Sequence, residues 1–300
     1  MRPLRVATRG SALALWQARH VATLIAARGG PEVELVITET SGDLRTDVPI
    51  HQIGGTGVFA KEVQAAVTGG LADVAVHSAK DLPSTPTPGL VIAAVPPRGD
   101  ARDALVGCRL ESLPFGAEVA TGSVRRRAQL AALRPDLRFA ELRGNIGTRL
   151  ARAADHHAIV VAKAALDRLG ETPTVVDPLA VADMVPQVGQ GALAIECRTD
   201  DAEVVALLRA IEDESTRRAV DAERAFLATL GSGCDLPVGA HAVVSVHGAI
   251  VIDGLIAALD GATVVRGSSS GEEPVEVGRR LAERLLADGG RELLAAGDST

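Results

Sequence analysis

Leu4-Arg5-Val6-Ala7-Thr8-Arg9-Gly10-Ser11-Ala12-Leu13-Ala14-Leu15-Trp16-Gln17 sets the fold class of this 300-residue chain. Arg5–Thr8 is a short β-rich run. The turn Thr8-Arg9-Gly10-Ser11 supplies a glycine and a hydroxyl cap, and the helix pattern Ala12–Arg28 follows, with Leu13, Trp16, Val21, Leu24 and Ile25 at near-helical spacing. That spacing assigns Trp16 to the core. A strand that passes through a capped turn into a helix is the building block of α/β proteins. The same rhythm recurs along the chain. Further strand-like runs lie at Val33–Thr38, Asp73–His77, Leu90–Val95, Glu118–Thr121, Arg138–Leu142, Ala158–Ala162 and Leu193–Glu196. Helix patterns occupy Phe59–Thr68, Val124–Leu133, Ile146–Ala154 and Lys163–Leu169. Apolar runs without strict alternation read as parallel strands covered on both faces.

Two interruptions divide this body. Pro96–Asp100 breaks the alternation, and Val185–Gly191 brings proline, glutamine and glycines just before a new strand. They read as chain crossings between two lobes, one built from residues 1–97 and 192–213 and the other from 98–191. The texture then changes. A long charged helix pattern at Glu214–Leu230, strand-like Ala242–His247 and Ala249–Leu259, and a last helix near Val275–Leu294 predict a small α+β domain over 214–300. No sequence repeat is visible. Thr40–Gly57 is polar, glycine-rich and aperiodic, and reads either as a lid or as a plain surface loop.

Composition narrows the chemistry. No run approaches the roughly 18 to 20 unbroken apolar residues of a membrane span, and Met1–Arg9 does not build an export signal. Cys108, Cys197 and Cys234 are odd in number and lack C-x-x-C spacing, so neither a disulfide framework nor a zinc ribbon is expected, and a cytoplasmic protein is. A net charge of −7 and 2% aromatics argue against a nucleic-acid binder. The charge is uneven, however. Residues 101–152 hold ten arginines against five acids, which fits either a solvated face or a pocket for a small polyanion.

Three strand-to-helix junctions share one grammar: Thr8-Arg9-Gly10-Ser11, Thr121-Gly122-Ser123-Val124-Arg125-Arg126 and Leu142-Arg143-Gly144-Asn145. Each joins a glycine, a capping residue and arginine, the equipment for holding carboxylate or phosphate at a helix start. Arg149 lies one helical turn beyond Asn145. His77-Ser78-Ala79-Lys80-Asp81 closes a buried strand with an adjacent cation and carboxylate, either a proton-transfer or cation-stabilising group or a surface ion pair. Cys234 lies in the glycine-flanked loop Gly231-Ser232-Gly233-Cys234-Asp235, where a thiol can serve as nucleophile or attachment point. Cys197 reads as core. No metal site is expected, the adjacent His156 and His157 being poorly spaced for one ion.

Taken in order, Ala7–Gln17, Ala75–Pro83, Leu142–Arg149, Val188–Ala192 and the Gly-Ser-Gly-Cys234 loop resemble the porphobilinogen deaminase (hydroxymethylbilane synthase) family over nearly the whole chain. The resemblance implies a cytoplasmic, monomeric transferase of porphyrin and heme biosynthesis. It would join four porphobilinogens head to tail with loss of ammonia, then release hydroxymethylbilane by hydrolysis. It implies a dipyrromethane cofactor in thioether linkage to Cys234, and two lobes like periplasmic binding proteins plus a C-terminal cofactor-attachment domain. Asp81 would be the catalytic carboxylate, contacting pyrrole N–H groups and stabilising the cation left by ammonia. Lys80, Ser123, Arg125, Arg126, Gly144 and Asn145 would bind the cofactor. Arg9, Ser11, Phe59, Arg143, Arg149, Arg168 and Gln190 would serve the substrate. Thr56 departs from a lid lysine common in the family, and Gly122 from a serine common before Ser123. A two-lobed anion-binding or sensing protein would share the strand and helix rhythm, and a pyridoxal-phosphate enzyme using Lys80 or Lys163 would share the anion-binding junctions.

Overall fold

The computed structural model describes residues 2–39, 57, 60–231 and 236–297. The chain divides into two compact units, residues 1–99 with 192–217 and residues 100–191 with 218–300.

In the first unit, β1 (Leu4–Arg9), β2 (Val33–Thr38), β3 (Val74–Ser78), β4 (Leu90–Ala94) and the returning β10 (Leu193–Arg198) form a sheet in the order β2-β1-β3-β10-β4. β1 pairs with β2 and β3 in parallel, and β10 is inserted antiparallel between β3 and β4. Both faces are covered, which is why the strands are apolar almost throughout. Val6, Val21, Ile25, Val74, Val76, Ile195 and Leu208 pack together on one side with α1 (Ala12–Ala27) and α6 (Ala202–Arg209). Ala7, Val63, Ala66, Val67, Ala75 and Leu90 pack with α2 (Lys61–Thr68). Helix α1 turns Ala14, Gln17, Ala18, Val21 and Ile25 inward. Trp16 lies off that face: it is half-buried and stacks on His20 at 4.9 Å, a correction to its expected place in the core.

In the second unit, β5 (Asp103–Val106), β6 (Glu118–Ala120), β7 (Arg138–Ala140), β8 (Ala158–Ala162) and β9 (Val176–Pro178) form a second sheet in the order β7-β6-β8-β5-β9. β6, β7 and β8 are parallel and β5 is antiparallel to its neighbours. This repeats the layout of the first sheet, a duplication in topology that no sequence repeat announces. α3 (Val124–Leu133), α4 (Ile146–Ala151) and α5 (Lys163–Leu169) follow β6, β7 and β8 respectively. The C-terminal part adds an antiparallel sheet of β11 (Val238–Val244), β12 (Ile250–Ala257) and β13 (Val264–Gly271). It packs with the end of α7 (Glu214–Thr229) and with α8 (Pro274–Leu285) through Phe226, Ile250, Ile252, Ile256, Leu281 and Leu285, and α9 (Arg291–Gly297) follows. Ala128, Val185, Leu255 and Ala257 join this sheet to the rest of the unit. The fold is therefore α/β with two mainly parallel sheets and a small C-terminal α+β part. Among the described residues, no helix is long and apolar enough to cross a membrane.

Candidate active site

β1 and β3 are parallel neighbours, so their carboxyl ends share one edge of the first sheet. Arg9 ends β1. Ser11 caps α1, its Oγ accepting the Ala14 N–H at 3.3 Å, while the buried Thr8 donates from Oγ1 to the Ala14 carbonyl at 3.2 Å. β3 runs on into a 3-10 turn at Ala79–Asp81. The Ala79 N–H donates to the Ala192 carbonyl at 3.0 Å, and the Leu82 N–H closes on Ala79 at 3.3 Å. Buried Gln17 donates to Ser78 Oγ at 2.8 Å and fastens α1 to this turn. Arg9, Ser11, Lys80 and Asp81 are all partly exposed along that edge. A carboxylate on a turn pinned at several points is well placed to receive N–H groups or to face a developing positive charge.

In the second unit the carboxyl ends of β6, β7 and β8 likewise share an edge. Ser123 caps α3: its Oγ accepts the Arg126 N–H at 3.5 Å, and its own N–H donates to Thr121 Oγ1 at 3.2 Å. Asn145 caps α4, its Oδ1 accepting from the Thr148 N–H at 3.0 Å and the Thr148 hydroxyl at 3.1 Å. Gly144 has φ +100°, and a Cβ there would meet Thr148 at 2.8 Å, so glycine is required. Arg149 donates from Nε to the Gly144 carbonyl at 2.8 Å. At Gly122 a Cβ would fall 2.8 Å from the Leu142 carbonyl, so the two turns approach each other closely there. Arg143 and Arg149 are partly exposed on the same edge.

Arg125, Arg126 and Gln190 converge on one carboxylate that the sequence reading missed. Asp103 is fully buried. Arg125 Nη2 lies 2.8 Å from its Oδ2, and Arg126 Nε and Nη2 bind its Oδ1 at 2.9 and 2.8 Å. Gln190 Nε2 donates to the same Oδ1 at 2.9 Å and to the Ala101 carbonyl at 2.8 Å. Burial pushes the Asp103 carboxyl upward, but the charges of Arg125 and Arg126 and the hydrogen bonds outweigh it and hold the group well below the ordinary carboxylate range. Burial lowers the Arg125 guanidinium. Further bonds run from Arg125 Nη1 to the Val185 carbonyl at 2.7 Å and from Arg126 Nη1 to the Val160 carbonyl at 3.0 Å. Arg125 Nε is buried with no hydrogen-bond partner among the described residues. Arg168 donates to the Gly191 carbonyl at 2.6 Å, and burial draws its guanidinium down to about 10. The signal for Asp103 was present as an acid opening the apolar run Ala104-Leu105-Val106. Its partners, more than twenty residues away, were not legible. Phe59, Thr56 and Cys234 lie outside the described residues.

Glycine turns, hydroxyl caps, arginines and one turn-borne carboxylate at strand ends are the equipment of an α/β enzyme for small carboxylated molecules. Residues 4–206 match the family model of the porphobilinogen deaminase dipyromethane cofactor binding domain, and residues 217–287 match the porphobilinogen deaminase C-terminal domain. Similar curated proteins include porphobilinogen deaminases from Nocardia farcinica (48% identity, covering 97% of this chain and 88% of that one) and Roseiflexus castenholzii (46%, covering 97% and 98%). Among solved structures, an ancestral cationic amino acid solute binding protein is similar at a TM-score of 0.43 and 14% identity, covering 69% of this chain and 86% of that one. The aliphatic sulphonate binding protein SsuA from Escherichia coli gives a TM-score of 0.39 and 15% identity, covering 76% and 75%. The chain belongs to the porphobilinogen deaminase family. It is a transferase (hydroxymethylbilane synthase) that condenses porphobilinogen in tetrapyrrole biosynthesis, with dipyrromethane as its cofactor. The orphaned N–H of Arg125 is a hydrogen-bond donor of the kind that the acid side chains of that cofactor need.

Proposed function

We propose that Asp81 is the catalytic carboxylate of this condensation and that Cys234 carries the dipyrromethane as a thioether. The observation behind the first assignment is the turn Ala79–Asp81, pinned by Ala192, by Gln17 through Ser78, and by its own closing hydrogen bond. The bound dipyrromethane supplies the pyrrole carbon to which substrate is added. Asp81 receives the substrate pyrrole N–H and, as the carbon–nitrogen bond to ammonia breaks, faces the positive charge left on the substrate. A fixed anion close to that charge lowers the barrier. Lys80, Ser123, Arg125, Arg126, Gly144 and Asn145 hold the cofactor, with Arg126 acting mainly through Asp103. Arg9, Ser11, Phe59, Arg143, Arg149, Arg168 and Gln190 serve the substrate carboxylates and ring, the Gln190 amide being held by Asp103 and the Ala101 carbonyl.

The same reading gives three working domains, residues 1–97 with 192–213, 98–191 and 214–300. The division of the chain near residues 99 and 191 supports the boundary between the first two, and the gap between the two family matches, at 206 and 217, supports the start of the third, which lies in the same compact unit as the second. It also gives a cytoplasmic monomer, which light scattering on the purified protein checks for mass.

Intact mass and turnover test the site. The parent is expected to carry an excess mass of two linked pyrroles, and Cys234→Ala to lack it. Asp81→Ala is expected to keep the excess while turnover falls by about 100-fold or more. Near-parental turnover in Asp81→Ala overturns the catalytic assignment, and a parental mass excess in Cys234→Ala overturns the attachment.

A further inference from the structure

Three polar side chains are buried together in the first unit beside the turn that carries Asp81. Glu196 on β10, His77 on β3 and Gln64 on α2 are only 4–5% exposed. Glu196 Oε2 accepts from Gln64 Nε2 at 2.8 Å and lies 3.2 Å from His77 Nε2. Strand alternation puts His77 on the face of Ala75, which packs against Val63, Ala66 and Val67 of α2. The surroundings are therefore apolar. Burying a carboxylate and an imidazole there is costly unless they are paired, and an apolar filling of the same volume serves stability at least as well.

What an apolar filling cannot do is fix the register. β3 reads Val74-Ala75-Val76 and β10 reads Leu193-Ala194-Ile195, so a slip of two residues keeps every one of these side chains on its own face. The observed register pairs Ser78 with Leu193, His77 with Ala194, Val76 with Ile195 and Ala75 with Glu196. His77 and Glu196 are then diagonal neighbours on one face. A two-residue slip in one sense would carry them about 7 Å further apart along the strands; in the other sense it would set them directly opposite but move Glu196 about 7 Å away from Gln64 on α2, so all three side chains meet only in the observed register. The same register places the Ala79 N–H on the Ala192 carbonyl, one step beyond the last ladder pair.

We infer that His77, Glu196 and Gln64 form a register lock between β3, β10 and α2, and that His77 and Glu196 are positioning residues for Asp81. The inference rests on the reading of Asp81 as catalytic. The decisive variant is His77→Leu/Glu196→Met, which removes both polar partners and leaves neither stranded, compared as holoenzyme with the parent, Glu196→Gln and Asp81→Ala. The double variant is expected to melt at or above the parental temperature. Amide exchange at Ala79–Leu82 should nevertheless rise about tenfold, and kcat should fall about tenfold or more with KM within about a factor of two. Glu196→Gln, which keeps the hydrogen-bonding groups, should recover most of kcat. A folded double variant with parental exchange and kcat overturns the lock. So does one that fails to fold, or whose exchange rises uniformly, because the cluster would then serve stability alone. Asp81→Ala with near-parental turnover would undo the catalytic reading while leaving the exchange result to stand on its own.

Discussion

Asp103 shows how one residue reorganises the meaning of others. Counted along the sequence, Arg125 and Arg126 add to a positive segment open to an anion. In the structure both are spent largely on a buried carboxylate, and Arg125 Nε is left without a hydrogen-bond partner among the described residues. Spacing shows that an arginine exists but not which acid it meets, so this part of the site was not legible. Asp103→Ala strands two buried guanidiniums and is expected to cost about 3–5 kcal/mol at pH 7, read as a fall in the urea midpoint. The sign with pH follows from the depressed folded-state value. The unfolded chain takes up the proton more readily, so the contribution of Asp103 is full above about pH 3.9 and drains away as pH falls through the lower folded value. Urea midpoints measured from pH 7 down to pH 2 should therefore drop more steeply at the acid end in the parent than in Asp103→Asn. Cys197 is the counter-case, legible as core because it sits within an apolar strand. Burial pushes its thiol up to about 11, so it should resist Ellman's reagent at pH 8 until the protein is denatured.

At the scale of elements, the strand and helix rhythm was legible because apolar runs and hydroxyl caps announce it locally. Val33–Thr38, Ala158–Ala162, Val124–Leu133 and Lys163–Leu169 appear with the boundaries the sequence suggests. The unread strands lack such marks. β5 opens on a buried acid, β9 is a three-residue edge ending in Pro178, and β13 is rich in serine and glycine and is held by its backbone pairing to β12. Helix packing was equally silent. Gly278 of α8 sits so close to α7 that a Cβ would fall 2.0 Å from the Ala222 carbonyl. Gly278→Ala is expected to destabilise by about 2–3 kcal/mol or more, measured by thermal unfolding. Ser123→Ala removes the α3 cap and should cost about 1 kcal/mol, a loss separable from any effect on cofactor loading by comparing stability with intact mass.

Over the whole molecule, the family and the reaction were readable from five motifs in order, whereas the matched layout of the two sheets was not. Topology is written in which strands pair, and pairing between distant segments leaves no local trace. The insertion of β10 between β3 and β4 makes the first sheet depend on a strand from much later in the chain. A chain ending at Gly191 is expected to lose amide protection over Val74–Ala94, read by hydrogen exchange. Protein synthesis meets the same dependence in time. At roughly 5–20 residues per second, β3 and β4 leave the ribosome about 5–20 s before their shared partner is made. Through that interval the nascent chain presents two apolar strand edges with no partner between them. Translational pausing and chaperone capture would act on this protein there, before any substrate or cofactor is present.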